Sequence, residues 1–223
     1  MGESFFEQRK RIVESLEKMG YIRTQAVKKA MLKVRREDFV PAENKENAYV
    51  DSPLPIPGNA TISAPHMHAL SLEALQLKKG EKFLEVGAGS GILLAYAYEI
   101  IQEKNKVFGI EIVPETYEFA KENLKKTGYW EKVKLILGDG GLGLPEEAPF
   151  DKILISAAAP DFPPPLIKQL KVGGIIAGMI GSPYGDQEFV RGIKTKRGKI
   201  ERETLLPVVF LPLRGKFGWE IQE

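Results

Sequence analysis

FLEVGAGSG, from Phe83 to Gly91, decides how the chain is read. Four apolar-rich residues, Phe83 to Val86, have the character of a short buried strand and run straight into Gly87, Gly89 and Gly91. Glycine permits a tight turn and lets a ligand approach the main chain. The apolar run after Gly91 predicts a helix, whose first turn offers unpaired backbone amides. The spacing is G-x-G-x-G. Dinucleotide sites favour G-x-G-x-x-G, whose third glycine allows close helix–strand packing; here that position is Ile92. Glu85, just before the loop, would repel a pyrophosphate and suits a ligand carrying an ammonium group.

Working outward, strands and helices alternate. Periodicity predicts helices over 66–77, 91–102, 114–126 and 164–170, the third with a proline in its first turn. Strands are predicted over 82–86, 107–112, 133–137, 152–156 and 175–180. Such alternation implies a parallel sheet covered on both faces. Residues 188–196 and 201–213 are strand-like around a turn at Arg197-Gly198, and predict an antiparallel edge. Before residue 66 lie two expected helices, 4–19 and 24–34, and an irregular stretch from Pro41 to Pro65; long loops of this kind are often functional. The expected fold is therefore α/β, a doubly wound and mostly parallel Rossmann-like sheet with an N-terminal helical extension and antiparallel C-terminal edge strands. It is read as one domain, with residues 1–65 as helices and substrate loop, 66–181 as the cofactor-binding core and 182–223 as terminal strands.

The strand tips carry the next signal. Glu111 ends the second strand of the alternating region, 20 residues after Gly91, where an acid can accept hydrogen bonds from both ribose hydroxyls. Asp139 and Gly140 end the third, where an aspartate can accept from an adenine amino group. One acid at one strand end is turn chemistry. Glu85, Glu111 and Asp139 at successive tips, beside a glycine loop, point to a nucleoside ligand at the carboxyl edge of the sheet. Ribose, adenine and an amino-acid end without phosphate describe S-adenosylmethionine.

Composition narrows the remaining chemistry. The 223 residues contain no cysteine, which excludes disulfides, a thiol nucleophile and cysteine-ligated metals. With only two histidines, His66 and His68, no metal site is expected. The charge of +2, from 32 basic and 30 acidic side chains, is too balanced to imply nucleic-acid binding by bulk charge. The N-terminus mixes charged and apolar residues and does not have the pattern of a signal peptide. No window holds the roughly 18 apolar residues of a membrane helix. A cytoplasmic protein is expected, and a monomer. Five Asn and seven Gln beside abundant Lys and Glu suggest a thermophilic source.

Two further runs carry a resemblance. Tyr49-Val50-Asp51-Ser52-Pro53 and Ala60-Thr61-Ile62-Ser63-Ala64-Pro65-His66-Met67-His68 resemble the signature that precedes the sheet in protein-L-isoaspartate (D-aspartate) O-methyltransferases. LEVGAGSG, VFGIEI, LGDGG, ISAAAP and LIKQLKVGG look like that family's later motifs, in order and at similar spacing, over roughly residues 5–215. The glycine loop marks only the wider class of S-adenosylmethionine-dependent enzymes; ATISAPHMHA and AAAP are more specific. Gly141 departs from the pattern, since many members carry a larger residue there.

The resemblance implies methylation of the carboxylate of L-isoaspartyl residues in damaged proteins and peptides, giving a methyl ester and S-adenosylhomocysteine. The ester then closes to a succinimide, whose hydrolysis restores some normal linkage. A carboxylate with a pKa near ~4 is already ionised at neutral pH, so no strong base is required. Alignment alone can contribute on the order of 7–11 kcal/mol. The resemblance makes Ser63 the catalytic position, orienting the substrate carboxylate without a covalent intermediate. The alternative for Ser63 is a cap on the helix that starts near Pro65, and both roles can hold together. The resemblance also implies cofactor contacts from Ala60, Thr61, Ile62, Ser63, His68, Glu85, Gly87, Gly89, Ser90, Glu111, Ile112, Asp139 and Gly140. His66 is expected to face outward or to cap its helix. Substrate contacts are expected from Ser63, from Asp51, which either orients a bound peptide or steadies its own loop, and from Ala158, in a run of small residues at a strand end. Extended peptides would be gripped mainly through their backbone.

Three alternatives share parts of this pattern. An RNA or small-molecule methyltransferase would carry the same loop and acids, though an RNA enzyme should show basic and aromatic residues interleaved on one face; the basic run 194–199 is more simply a solvated hairpin. A non-catalytic nucleoside-binding protein would lack a reason for the Ser63 segment. An NAD-dependent oxidoreductase is disfavoured by Ile92 and Glu85.

Overall fold

The computed structural model describes residues 3–183 and 185–220. The glycine loop fixes the frame. Strand β3 (Phe83–Val86) enters it, and helix α4 (Ile92–Ile101) leaves it. All three loop glycines have positive φ: +83° at Gly87, +54° at Gly89 and +81° at Gly91. Side chains other than glycine rarely adopt that conformation.

Around β3, a seven-stranded sheet runs in the order β5-β4-β3-β6-β7-β8-β9. β4 (Val107–Glu111), β5 (Lys134–Leu137), β6 (Phe150–Ala159) and β7 (Leu170–Ser182) continue the parallel register. β8 (Gly185–Lys194) and β9 (Ile200–Val208) add the antiparallel edge. The chain moves from β3 outward through β4 to β5, then returns to the other side of β3 as β6. That reversal opens a crevice at the carboxyl ends of the strands.

Alternation along the strands serves two cores. Phe83 and Leu154 point to one face and Leu84, Ile153 and Ile155 to the other. The first face is covered by α1 (Phe5–Lys18), α2 (Gln25–Lys33), α3 (Pro65–Leu75), α4 and α5 (Pro114–Lys126), which contribute Leu16, Met31, Leu72, Leu94 and Leu124. The second is covered by α6 (Pro164–Gln169), with Leu166, and by nearby loops. Local signals set the helix ends. Ser4 and Glu7 form a capping box on α1, and the Thr24 hydroxyl accepts from Val27 N–H at the start of α2.

Close packing of α4 on the sheet, which a third glycine would otherwise allow, is achieved from the opposite side. Gly109 lies on β4 under the helix. A Cβ added there would sit 2.6 Å from Leu94 Cδ1 and 3.2 Å from Ala88 Cβ. Gly109→Ala is therefore expected to cost about 1–3 kcal/mol by overpacking. Denaturant unfolding checks this, and an unchanged midpoint would mean that α4 moves away freely.

The structure revises the expected elements in three places. The stretch from Pro41 to Pro65 contains a short helical turn (Ala42–Asn47) and an antiparallel hairpin, β1 (Leu54–Ile56) with β2 (Ala60–Ile62). β6 and β7 are longer than their apolar runs. β9 ends at Val208, and the chain beyond it leaves the edge and crosses back, with Ala158 N–H donating to Leu211 O and Leu213 N–H donating to Ala158 O, both at 2.8 Å.

Candidate active site

Three adjoining cavities lie over the crevice. The first, about 40 Å³, is lined by Ile62, His68, Ser71, Glu85, Gly87 and Ser90 among others. The second, about 280 Å³, is lined by Asn59, Ala60, Gly89, Glu111, Ile112, Gly140, Ala157 and Arg214 among others. The third, about 580 Å³, is an open groove between Pro53, His66 and Met67 on one side and Leu206 to Pro212 on the other. Thr61, Ser63 and Phe210 line all three. Hairpin β1–β2 thus delivers Ser63 to a junction. Buried Gln187 holds Phe210 opposite, accepting from its N–H at 2.6 Å and donating to its carbonyl at 3.1 Å.

Ser63 is not a helix cap. Ala64 occupies the N-cap of α3, with no side-chain capping bond, and no hydrogen bond among the described residues uses the Ser63 hydroxyl. The hydroxyl is free to bind a ligand at the junction.

Glu85, 2% exposed, sits at the floor of the first cavity. Burial pushes its carboxyl well above the ordinary range; Ser156, whose hydroxyl donates to Oε1 at 2.9 Å, lowers it in part, and neighbouring Glu111 raises it further. Its Oε2 and the hydroxyl of Ser90 are buried with no partner. Such orphaned groups are uncommon and call for an explanation. A ligand ammonium beside the carboxyl supplies one, so the residues present fit an amino-acid end.

Glu111, 6% exposed, organises the second cavity. Oε2 accepts from Gly89 N–H at 3.0 Å, and Oε1 accepts from Ile112 and Val113 N–H at 2.9 and 3.0 Å. One carboxylate therefore ties the glycine loop to the end of β4. His68 is buried against Tyr96, with ring centroids 5.8 Å apart. Burial first, then the charge of Arg36 and then His66, hold its imidazole well below the ordinary value, so it is neutral at physiological pH.

Two sequence-predicted residues, Ala158 and Asp139, stand elsewhere than expected, and Asp51 takes one of its two expected roles. Ala158 is fully buried, with both backbone groups bonded to the segment 211–213, so its side chain does not face the groove; its neighbour Ala157 lines the second cavity, not the groove. Asp139 does not line the second cavity. Its Oδ1 accepts from Gly141 N–H at 2.9 Å and its Oδ2 from Lys216 N–H at 2.8 Å, so the carboxylate fastens the C-terminal segment. Gly141 is small because Phe217 packs there: a Cβ would meet the Phe217 Cβ at 3.2 Å. Asp51 steadies its loop, since Oδ1 accepts from His66 N–H and lies 2.9 Å from His66 Nδ1. The resemblance passed over Ser71, Ser156 and Phe210, and its weak match around Arg214 assigned no contact there. Ser156 sits inside the quoted ISAAAP run, but nothing in the sequence announces that the segment after β9 turns back over the crevice.

No helix among the described residues is long and apolar enough to cross a membrane. A family model for protein-L-isoaspartate (D-aspartate) O-methyltransferase matches residues 7–218. A protein-L-isoaspartate O-methyltransferase of Hyperthermus butylicus is 48% identical over 99% of this chain and 94% of its own length. One from Methanopyrus kandleri is 47% identical over 98% and 96%. A Plasmodium falciparum structure described as a protein-L-isoaspartate O-methyltransferase in complex with S-adenosyl-L-homocysteine superposes with a TM-score of 0.82 at 31% identity, covering 92% of this chain and 98% of that one. With the signature segments placed around one crevice and a family match running from α1 to the C-terminal segment, the chain belongs to the protein-L-isoaspartate (D-aspartate) O-methyltransferase family.

Proposed function

We infer that this protein transfers a methyl group from S-adenosylmethionine to the carboxylate of L-isoaspartyl residues in damaged proteins and peptides, giving a methyl ester and S-adenosylhomocysteine. The observation that carries the reading is the junction at Thr61, Ser63 and Phe210, where two closely lined cavities open onto one peptide-sized groove. When bound, S-adenosylmethionine supplies an electrophilic methyl on a sulfonium. The chain's own residues align and shield. Glu111 receives the ribose hydroxyls; Ala60, Thr61, Ile62, Ile112 and Gly140 wall the adenosine and its linker. Asp139 contributes by fastening the C-terminal cover. Glu85 takes the ammonium, with Gly87, Gly89, Ser90 and His68 around the remainder of the amino-acid end. The Ser63 hydroxyl donates to the incoming carboxylate and fixes its direction. Asp51, by holding His66, sets one wall of the groove. In this reading the chain works as one unit: residues 1–65 bring the hairpin, 66–181 the cofactor floor and 182–223 the opposite wall. A cytoplasmic setting agrees with the cysteine-free sequence.

The test is transfer of labelled methyl to an isoaspartyl peptide, its aspartyl twin and an RNA. Label on the first alone is expected. Equal label on the twin, or label on RNA, would refute the reading.

Glu85 gives a second prediction. Its folded carboxyl is raised above the unfolded value. The stability it contributes is complete below the ordinary carboxylate pKa and is lost as pH rises through the folded value. Glu85→Gln should therefore flatten the acid-to-neutral decline in the melting temperature of the ligand-free protein. The same variant should bind S-adenosylhomocysteine roughly tenfold more weakly, having lost one charged contact. An unchanged melting profile together with unchanged affinity would place Glu85 outside the binding chemistry.

A further inference from the structure

Arg36 is fully buried, 1% exposed, yet no carboxylate among the described residues lies within ion-pair distance of it. It opens the helical turn Arg36–Asp38, just after α2. Its Nε donates to Ala48 O at 2.6 Å, and its backbone N–H donates to the Tyr49 hydroxyl at 3.2 Å. The neighbouring acid is already committed. Glu37 accepts from the Tyr49 hydroxyl and lies 3.8 Å from Arg9 Nη1. Arg36 Nη2 has no partner. An uncompensated buried charge is costly, and arginine cannot shed it by losing its proton. Burial lowers its pKa to about 10, still cationic near neutrality.

What the cation touches is His68. Nη1 lies 3.3 Å from His68 Nδ1. A guanidinium has donors only, so Nδ1 must accept and the imidazole proton must sit on Nε2. The other titratable groups facing His68 are His66 on its own helix, Tyr96 edge-on from α4 and Glu85 across the first cavity from β3. Arg36 does not line that cavity, whereas His68 does.

We propose that Arg36 is a positioning residue: through Nδ1 it locks His68 as an Nε2–H donor, and its unpaired charge biases the closed end of the cavity toward the α-carboxylate of the cofactor's amino-acid portion. The proposal rests on the cofactor assignment above. It gives the two charges of an amino acid opposite receptors in one small cavity, Glu85 for the ammonium and His68 backed by Arg36 for the carboxylate. It also explains why an arginine stays buried with no acid in contact and only the more distant charge of Asp51 in its favour: the nearest anion arrives with the ligand.

The experiment compares two ligands on the full-length protein by calorimetry. S-adenosylhomocysteine carries the amino-acid end; 5′-methylthioadenosine keeps the adenosine and sulfur but lacks it. Arg36→Met is expected to weaken the first roughly tenfold or more and leave the second unchanged, and Arg36→Lys should recover part of the loss. Equal weakening of both ligands would reduce Arg36 to a structural role and overturn the proposal, as would unchanged binding of S-adenosylhomocysteine. Wild-type protein that binds neither ligand would overturn the cofactor assignment, and the proposal with it. If Arg36→Met does not fold, imidazole NMR of the wild type decides, since the chain has only two histidines. One ring should remain the neutral Nε2–H tautomer through the range in which an ordinary imidazole gains its proton. An Nδ1–H tautomer, or an ordinary titration of both rings, would overturn the proposal.

Discussion

Glu111→Ala should abolish tight cofactor binding, lowering the affinity for S-adenosylhomocysteine by two orders of magnitude or more. The carboxylate is nearly buried and does two jobs at once. It holds Gly89, Ile112 and Val113 through their N–H groups, and it lines the cavity assigned to the nucleoside. Hydrogen bonds to a charged group contribute about 1.5–3 kcal/mol each. Losing two ribose contacts at that strength amounts to a factor of roughly a hundred to ten thousand. The alanine variant also strands three backbone donors, so the glycine loop should lose order and the melting temperature should fall. Glu111→Gln separates the two effects. It keeps an acceptor for part of the loop and should melt closer to wild type while still binding weakly. Calorimetric titration of both variants checks this; wild-type affinity in Glu111→Ala would remove the nucleoside from that cavity.

Ser63→Ala should act on rate and spare affinity. Its hydroxyl is unused by the fold and stands where the three cavities meet. Removing it opens no core cavity and breaks no cap, so the melting temperature should stay near wild type. What is lost is a donor that steers a carboxylate into line, and misalignment of reacting groups costs on the order of a hundredfold. kcat toward an isoaspartyl peptide should fall by about that factor while the Kd of S-adenosylhomocysteine changes little. Ser63→Thr, which keeps the hydroxyl, should recover part of the rate. Full methyl transfer in a folded Ser63→Ala protein would take Ser63 out of the mechanism.

The parallel core was legible because each of its elements advertises its own ends. Pro114 begins α5 in a chain whose apolar period is clear to Lys126, and the glycine run between β3 and α4 permits little else. The hairpin that carries Ser63 was not legible. Its strands are three residues each, and Pro53, Pro55 and Pro57 signal loop at every second position. Arg36, Glu37 and Asp38 are all buried, through contacts with Arg9, Ala48, Tyr49, His68 and Lys126 that no local pattern announces. Asp139 and Ala158 were placed on the correct edge of the sheet, but their partners come from the returning C-terminal segment, up to 77 residues further along the chain. Local pattern does not register contacts made at that distance.

If the three cavities form one reaction site meeting at Ser63, a crystal structure with S-adenosylhomocysteine should place the adenosine beside Glu111 and Ala157, the amino-acid end between Glu85 and His68, and the sulfur at the Ser63–Phe210 junction facing the open groove. A ligand bound elsewhere, or one whose sulfur is walled off from the groove, would contradict it.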